Sequence, residues 1–233
     1  MTTHPHPARA RLLPCGDAAL LVETSDTASA LDLAGRFDVL RNRPGSAGPI
    51  VHDIVTGERS VLVTATGPEA LPDLRRAVRT MLETPALPNP SGPQPGAAAH
   101  PPVEIPVVYA GPDLDLVAAH TGMTREEVVA AHTGSDWVVG FTGFAPGFGY
   151  LVGGDPRLAV PRRAEPRPRV AAGSVALAGP YSGIYPTESP GGWQIVGHTD
   201  AVLWDLRRDP PALLRPGLRV RFVDVEPRRD PRS

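Results

Sequence analysis

Lysine is absent from the 233-residue chain: all 23 basic residues are arginine. That absence excludes the lysine of a phosphate-binding P-loop, a Schiff-base lysine and a biotinylated lysine. Any nucleotide, cofactor or anion is therefore held by arginine forks, backbone amides, hydroxyls or a partner chain. Cysteine is nearly absent too. Cys15 has no second thiol with which to form a disulfide or a metal site, a usage that fits a cytoplasmic setting. Leu12-Leu13-Pro14-Cys15 has a faint likeness to a lipoprotein cleavage site, but no long apolar stretch precedes it, and a buried or half-buried thiol is expected. No apolar run approaches the roughly 18 residues of a membrane span, so a soluble protein without a membrane partner is expected. Nor is there a strong charge bias: a formal net charge of −2, with 21% charged and 41% apolar residues, is an ordinary globular balance that does not call for nucleic acid. The sharp catalytic signatures GxSxG, HExxH and CxxC are missing as well. Gly147-Phe148-Gly149 begins a dinucleotide fingerprint, but its third position is Val152 and no helix signal follows.

What is present divides in two. Residues 84–102 hold seven prolines and almost no large apolar side chain, a composition that favours extended chain over packing. This linker separates a small α+β domain at 1–83 from a mainly β domain at 103–225, with a tail at 226–233. In the first domain, residues 12–23 read as a strand broken by a Gly-Asp turn. Ser25 or Asp26 caps a helix running to about Arg41, with Leu31, Leu33, Phe37 and Leu40 as its apolar positions. Strands at 49–55 and 60–65 flank a hairpin, and Gly67-Pro68 opens a second helix. In the second domain, residues 103–109 form a strand whose Pro106 argues for an edge or bulge. Two short helices follow. The first runs from Asp113 to a stop at Gly122, and the second opens with a capping box at Thr124-Arg125-Glu126-Glu127 and ends near Gly134. His120 and His132 both fall at helix ends, where a cation complements the helix dipole. From residue 136 onward, short β runs separated by Gly and Pro turns suggest a closed barrel or sandwich.

Three stretches can carry chemistry. Between Gly140 and Leu151, Phe144, Phe148 and their aromatic neighbours crowd around Pro146-Gly147, as a ligand pocket or as barrel-core packing around a tight turn. Across 161–169 the prolines enforce extended chain, so Arg163, Glu165, Arg167 and Arg169 share a face that either grips a carboxylate or phosphate or is a solvated charged loop. Between Gly183 and Trp193, Tyr185, Glu188, Ser189 and Trp193 stand beside Gly191 and Gly192, whose amides can hold an anion. Glu188 suits a general base and Ser189 an amide-binding hydroxyl, though no histidine lies close in sequence to activate Ser189. The bland alternative is a turn-rich barrel corner. His198 is a further acid or base candidate, or a structural histidine.

The segments 143–151, 155–163, 167–175, 185–197 and 210–222, including Gly-Phe-Ala-Pro-Gly-Phe-Gly-Tyr-Leu and Tyr-Pro-Thr-Glu-Ser-Pro-Gly-Gly-Trp, closely resemble the family of 5-oxoprolinase B subunits. This family is also called allophanate hydrolase subunit 1, and it includes a sporulation-kinase inhibitor. The likeness is strong over 103–223 and weaker through Pro14–Val22. It implies a cyclophilin-like β-barrel behind a small α+β domain. It also implies a non-autonomous subunit working with C-type and A-type 5-oxoprolinase partners to open 5-oxo-L-proline to L-glutamate with ATP, used by the complex and not bound covalently. Phosphorylating the lactam oxygen makes an unreactive ring amide open to water, and an arginine-rich, glycine-lined cleft suits such a species. In that light Arg162, Arg163, Arg169, Ser174 and the Tyr185–Trp193 loop, with Phe144 and Phe148, are the substrate or anion-binding candidates. Glu188, Ser189 and His198 are the catalytic ones, and no metal is expected. Two alternatives stand beside this: a regulatory protein that inhibits a sensor histidine kinase, and a carboxyltransferase or allophanate hydrolase-type subunit. The sequence departs from the family pattern at Tyr181-Ser182-Gly183, where Gln-Thr-Gly is expected, and at Gly197-His198-Thr199-Asp200, where Gly-Arg-Thr-Pro is expected.

Overall fold

A computed structural model describes residues 10–42, 49–83 and 101–226, and the chain divides into two compact units, 1–100 and 101–233. Of the proline-rich segment, residues 84–100 lie outside the described residues, as does most of the tail.

The first unit is built on strands β1 (Arg11–Cys15), β2 (Ala19–Glu23), β3 (Val51–Thr56) and β4 (Ser60–Ala65), with helices α1 (Thr27–Arg41) and α2 (Leu71–Glu83). The Gly-Asp turn makes 12–23 a hairpin, and the antiparallel order is β1-β2-β4-β3. Alternation along β2 and β4 buries Leu20, Val22, Val61 and Val63, which meet Leu33 and Phe37 of α1 and Leu74 and Val78 of α2 in one core. Of the two capping candidates, Asp26 is the cap, its Oδ1 accepting the Ser29 amide at 2.7 Å. Cys15 is exposed, not buried as expected. It ends an edge strand beside a turn, between the equally exposed Pro14 and Gly16.

The second unit contains β5 (Val103–Val107), α3 (Leu114–Thr121), α4 (Arg125–Thr133), β6 (Trp137–Thr142), β7 (Gly149–Val152), β8 (Arg167–Val170), β9 (Ser174–Ala178), β10 (Tyr181–Ile184), β11 (Ser189–Gly191), β12 (Gln194–His198) and β13 (Arg219–Asp224). Seven of these strands form one mixed sheet in the order β12-β9-β10-β7-β6-β13-β5. Pro106 sits on the edge strand β5, where a missing amide costs no ladder bond. Past β5 the chain turns onto the opposite edge. Val108 and His198 exchange both backbone hydrogen bonds, and the Gly111 and Asp113 amides bond to the carbonyls of Val196 and Ile195. The sheet is thereby a nearly closed, barrel-like body around Ile105, Trp137, Leu151, Leu177 and Phe222. β8 and β11 form a separate two-stranded arm.

Both expected helix signals of this unit are present: α3 stops at Gly122, and the capping box of α4 is complete between Thr124 and Glu127. His132, however, is no dipole-capping cation. Its ring is wholly buried, stacked on Phe222 at a centroid distance of 4.2 Å. Its Nδ1 lies 2.7 Å from the Tyr109 hydroxyl and its Nε2 2.8 Å from Ser182 Oγ. Burial disfavours the charged ring and pushes its pKa down to about 3. The helix-end carbonyl of His132 is instead satisfied by the Trp137 indole N–H at 2.9 Å.

Candidate functional site

The loop from Gly143 to Phe148 is a double turn, closed by hydrogen bonds from the Ala145 amide to the Gly143 carbonyl and from the Phe148 amide to the Ala145 carbonyl. Gly147 has φ +87, and a Cβ there would press on Trp204 Cβ at 3.1 Å and the Leu203 carbonyl at 3.2 Å, so only glycine lets the loop lie this close to residues 203–204. Phe144 is the one residue other than glycine with positive φ among the described residues, at +66. The residue is 60% exposed, and its ring sets an edge against Phe148 and Tyr185, with centroids 5.3 and 6.1 Å away. Below it, Phe148 meets Tyr185 and Trp193 in T-shaped contacts at 5.6 and 5.5 Å. Phe148, Tyr185 and Trp193 are buried in a cluster with Val170, Ala176 and Ile195. The two aromatic stretches of the sequence thus meet as one layer, and Phe144 is the ring it offers to solvent.

Above this layer lies the β8–β11 arm, held by a residue that sequence reasoning missed. Asp113 stands at the N-cap of α3 without capping it. Its buried carboxylate instead accepts Arg163 Nη1 at 2.9 Å, Arg167 Nη1 and Nη2 at 2.9 and 2.7 Å, and the Ile195 amide at 2.7 Å. Burial works to raise the Asp113 pKa, but the Arg167 and Ile195 hydrogen bonds and the two guanidinium charges outweigh it, and the carboxyl titrates below its ordinary range. The signal available in sequence is a row of four arginines, Arg162, Arg163, Arg167 and Arg169, set against the single acid Glu165. An acid at the start of a helix reads locally as part of that helix, which hides the pairing.

The arginines therefore do not share a single open face. Arg163 and Arg167 converge on Asp113, and Arg169 Nε and Nη2 grip Glu188 Oε1 at 2.9 and 2.7 Å across the exposed surface of the arm. Arg162 is exposed and has no side-chain hydrogen bond among the described residues. Its charge acts on Tyr185, whose pKa burial raises, while the hydrogen bond with the Trp193 backbone and the Arg162 charge pull it the other way. Gly191 is required beside that hydroxyl: a Cβ there would lie 2.3 Å from Tyr185 Oη. The Gly192 carbonyl accepts the Arg163 amide at 2.8 Å, fastening the glycine pair to the arginine segment.

Among the catalytic candidates, Glu188 is occupied by Arg169 and Ser189 Oγ is buried with no hydrogen-bond partner. His198 is exposed and faces Asp200, with Nε2 3.4 Å from Oδ1. The three are not assembled into a nucleophile–base pair. Ser174 is buried and joins the Tyr185 strand through its backbone, its carbonyl accepting the Tyr185 amide at 3.0 Å. No group of three or more His, Cys, Asp or Glu side chains is placed to hold a metal ion among the described residues. Nor is any helix of those residues long and apolar enough to cross a membrane.

A barrel-like body with an arginine arm locked to its wall and an aromatic layer beneath is a binding architecture without a self-sufficient nucleophile. Residues 10–214 match the family model described as carboxyltransferase domain, subdomain C and D, and the chain belongs to that family. It is 46% identical over 180 residues to the B subunit of 5-oxoprolinase from Escherichia coli O157:H7, covering 75% of this chain and 78% of the relative. To the 5-oxoprolinase B subunit of Bacillus subtilis (strain 168) it is 48% identical over 126 residues, 53% of this chain and 52% of the relative. Among solved structures it superposes on TTHA0988 with a TM-score of 0.68 at 35% identity, over 91% of this chain but only 41% of that longer one.

Proposed function

We propose that this chain is the B-type subunit of a 5-oxoprolinase that converts 5-oxo-L-proline to L-glutamate with ATP. The observation that carries the proposal is the 46% identity to a protein named as the B subunit of 5-oxoprolinase over three-quarters of the chain. The geometry fits an assisting role in catalysis: Glu188 is paired, Ser189 lacks a base, and lysine is absent. On this view the barrel, of cyclophilin-like type, contributes a binding surface to an active site completed by A-type and C-type subunits in the cytoplasm. ATP is used by the assembled complex and is not attached to this chain. Arg162, Arg169, Phe144 and the Tyr185–Trp193 loop are its contribution to substrate binding, while Arg163 and Arg167 hold the arm in place. Reconstitution tests it: the purified chain alone releases no glutamate, and the three subunits together release it from 5-oxoproline only when ATP is supplied. A fully reconstituted complex without such turnover would sink the assignment. Recovery of a sensor kinase, with no barrel-type partner, on co-purification from the native host would favour the regulatory alternative.

A further inference from the structure

Beside the aromatic layer, on the far side of Phe144, lies a cleft of about 460 Å³ whose walls come from the 142–147 loop and from residues 204–216. That volume falls within the usual range of small-molecule sites. Phe144 forms one wall, held there in a left-handed backbone conformation that a phenylalanine adopts only at a cost in strain. Trp204, 39% exposed, forms another. The loop that carries it is fixed from within: the Asp205 carboxylate holds Arg207, and Arg208 bonds to the carbonyls of Val202 and Pro211. The third arginine of this region, Arg215, is different. It lines the cleft, is exposed, and makes no side-chain hydrogen bond among the described residues.

The lining chemistry narrows the ligand. It has one guanidinium and no acidic side chain, which suits one carboxylate; a polyphosphate calls for more cationic groups. Two exposed aromatic surfaces suit a small ring, and the Thr142 hydroxyl can donate to a ring carbonyl. We infer that the Phe144–Trp204–Arg215 cleft binds a small ring-bearing carboxylate, with Arg215 taking the carboxylate and the two aromatic rings flanking the ring. This inference rests on the 5-oxoprolinase assignment for the identity of the acid, 5-oxo-L-proline. It adds to the contacts of the arm a carboxylate-binding cleft that shares only Phe144 with them.

The fold supplies its own reporter. Trp137 and Trp193 are buried, and Trp204 is the exposed indole. Titrating the full-length chain with 5-oxo-L-proline should change tryptophan fluorescence saturably, and 2-pyrrolidinone, which lacks the carboxylate, should not. Arg215→Gln should weaken binding about tenfold or more, the size expected when a charge-assisted hydrogen bond is lost, with an unchanged melting temperature. Trp204→Phe should abolish the signal while calorimetry still detects the ligand. In the reconstituted complex Arg215→Gln should raise KM for 5-oxoproline. Turnover with a wild-type KM in that variant, together with no saturable titration, overturns the cleft and leaves the functional assignment standing. Saturation by ATP alone also overturns it. Failure of the wild-type complex to turn over is the separate result that removes the assignment.

Discussion

Arg167 closes a two-pronged fork on Asp113, with nitrogen–oxygen distances of 2.9 and 2.7 Å, across 54 residues of sequence. The carboxylate is buried and accepts the Arg163 guanidinium and the Ile195 amide as well. Removing the acid leaves two guanidinium groups that are 30% and 21% exposed, together with an unpaired Ile195 amide, so the loss lies between the roughly 1 kcal/mol of a surface pair and the roughly 3–5 kcal/mol of a fully buried one. Asp113→Ala should therefore lower the denaturation free energy by an amount in that range, measured by chemical unfolding, and loosen the arm. A loss below about 1 kcal/mol would show that the clamp is not what holds β8 and β11.

The other ion pair of the arm behaves differently. Arg169 and Glu188 are both exposed, and such pairs contribute about 0–1 kcal/mol. Arg169→Ala should leave the melting temperature nearly unchanged, so any loss of turnover in the reconstituted complex reports on substrate or partner contact. Unchanged turnover would make Arg169 a solvated surface residue.

Periodic features of the chain were legible in sequence. A cap at Ser25 or Asp26, the Thr124 capping box and an edge or bulge position for Pro106 follow from local chemistry acting within a few residues, and the structure selects Asp26 and the edge. Long-range pairings were not. Asp113 meets arginines 50 and 54 positions away, and His132 finds Ser182 at a separation of 50. A helix-end histidine and an acid before a helix carry the same local signal whether they face water or the core. Tertiary closure decided both. The exposed Cys15 was missed for a related reason, since sequence does not say which strand face is left uncovered. Trp204 and Arg215 lie in a loop without periodicity, and only its folding back onto Gly147 brings them to Phe144.

Burial of neutral His132 makes stability depend on pH. Its folded pKa of about 3 lies below the ordinary value of 6.5, so between those values the unfolded chain binds the extra proton. The contribution is complete above pH 6.5 and falls progressively towards pH 3, with a limiting slope of about 1.4 kcal/mol per pH unit. Denaturation midpoints measured from about pH 7 to 5 should fall over a range that lies above the titration of Asp113. A flat profile there would mean that the Tyr109–His132–Ser182 thread accommodates a charged ring.

Phe144 separates backbone strain from side-chain function. Its φ of +66 is a conformation that glycine adopts freely and other residues adopt at about 1–2 kcal/mol. Phe144→Ala removes the ring and keeps the strain, while Phe144→Gly removes both. The residue is mostly exposed, so loss of the ring costs little packing, and the glycine variant should be the more stable of the two by about 1 kcal/mol despite its more flexible unfolded chain. Both variants lack the aromatic wall and should bind 5-oxo-L-proline equally poorly. Equal stability would show that the turn relaxes around alanine. Unimpaired binding in the glycine variant would show that the strain is not maintained to present the ring.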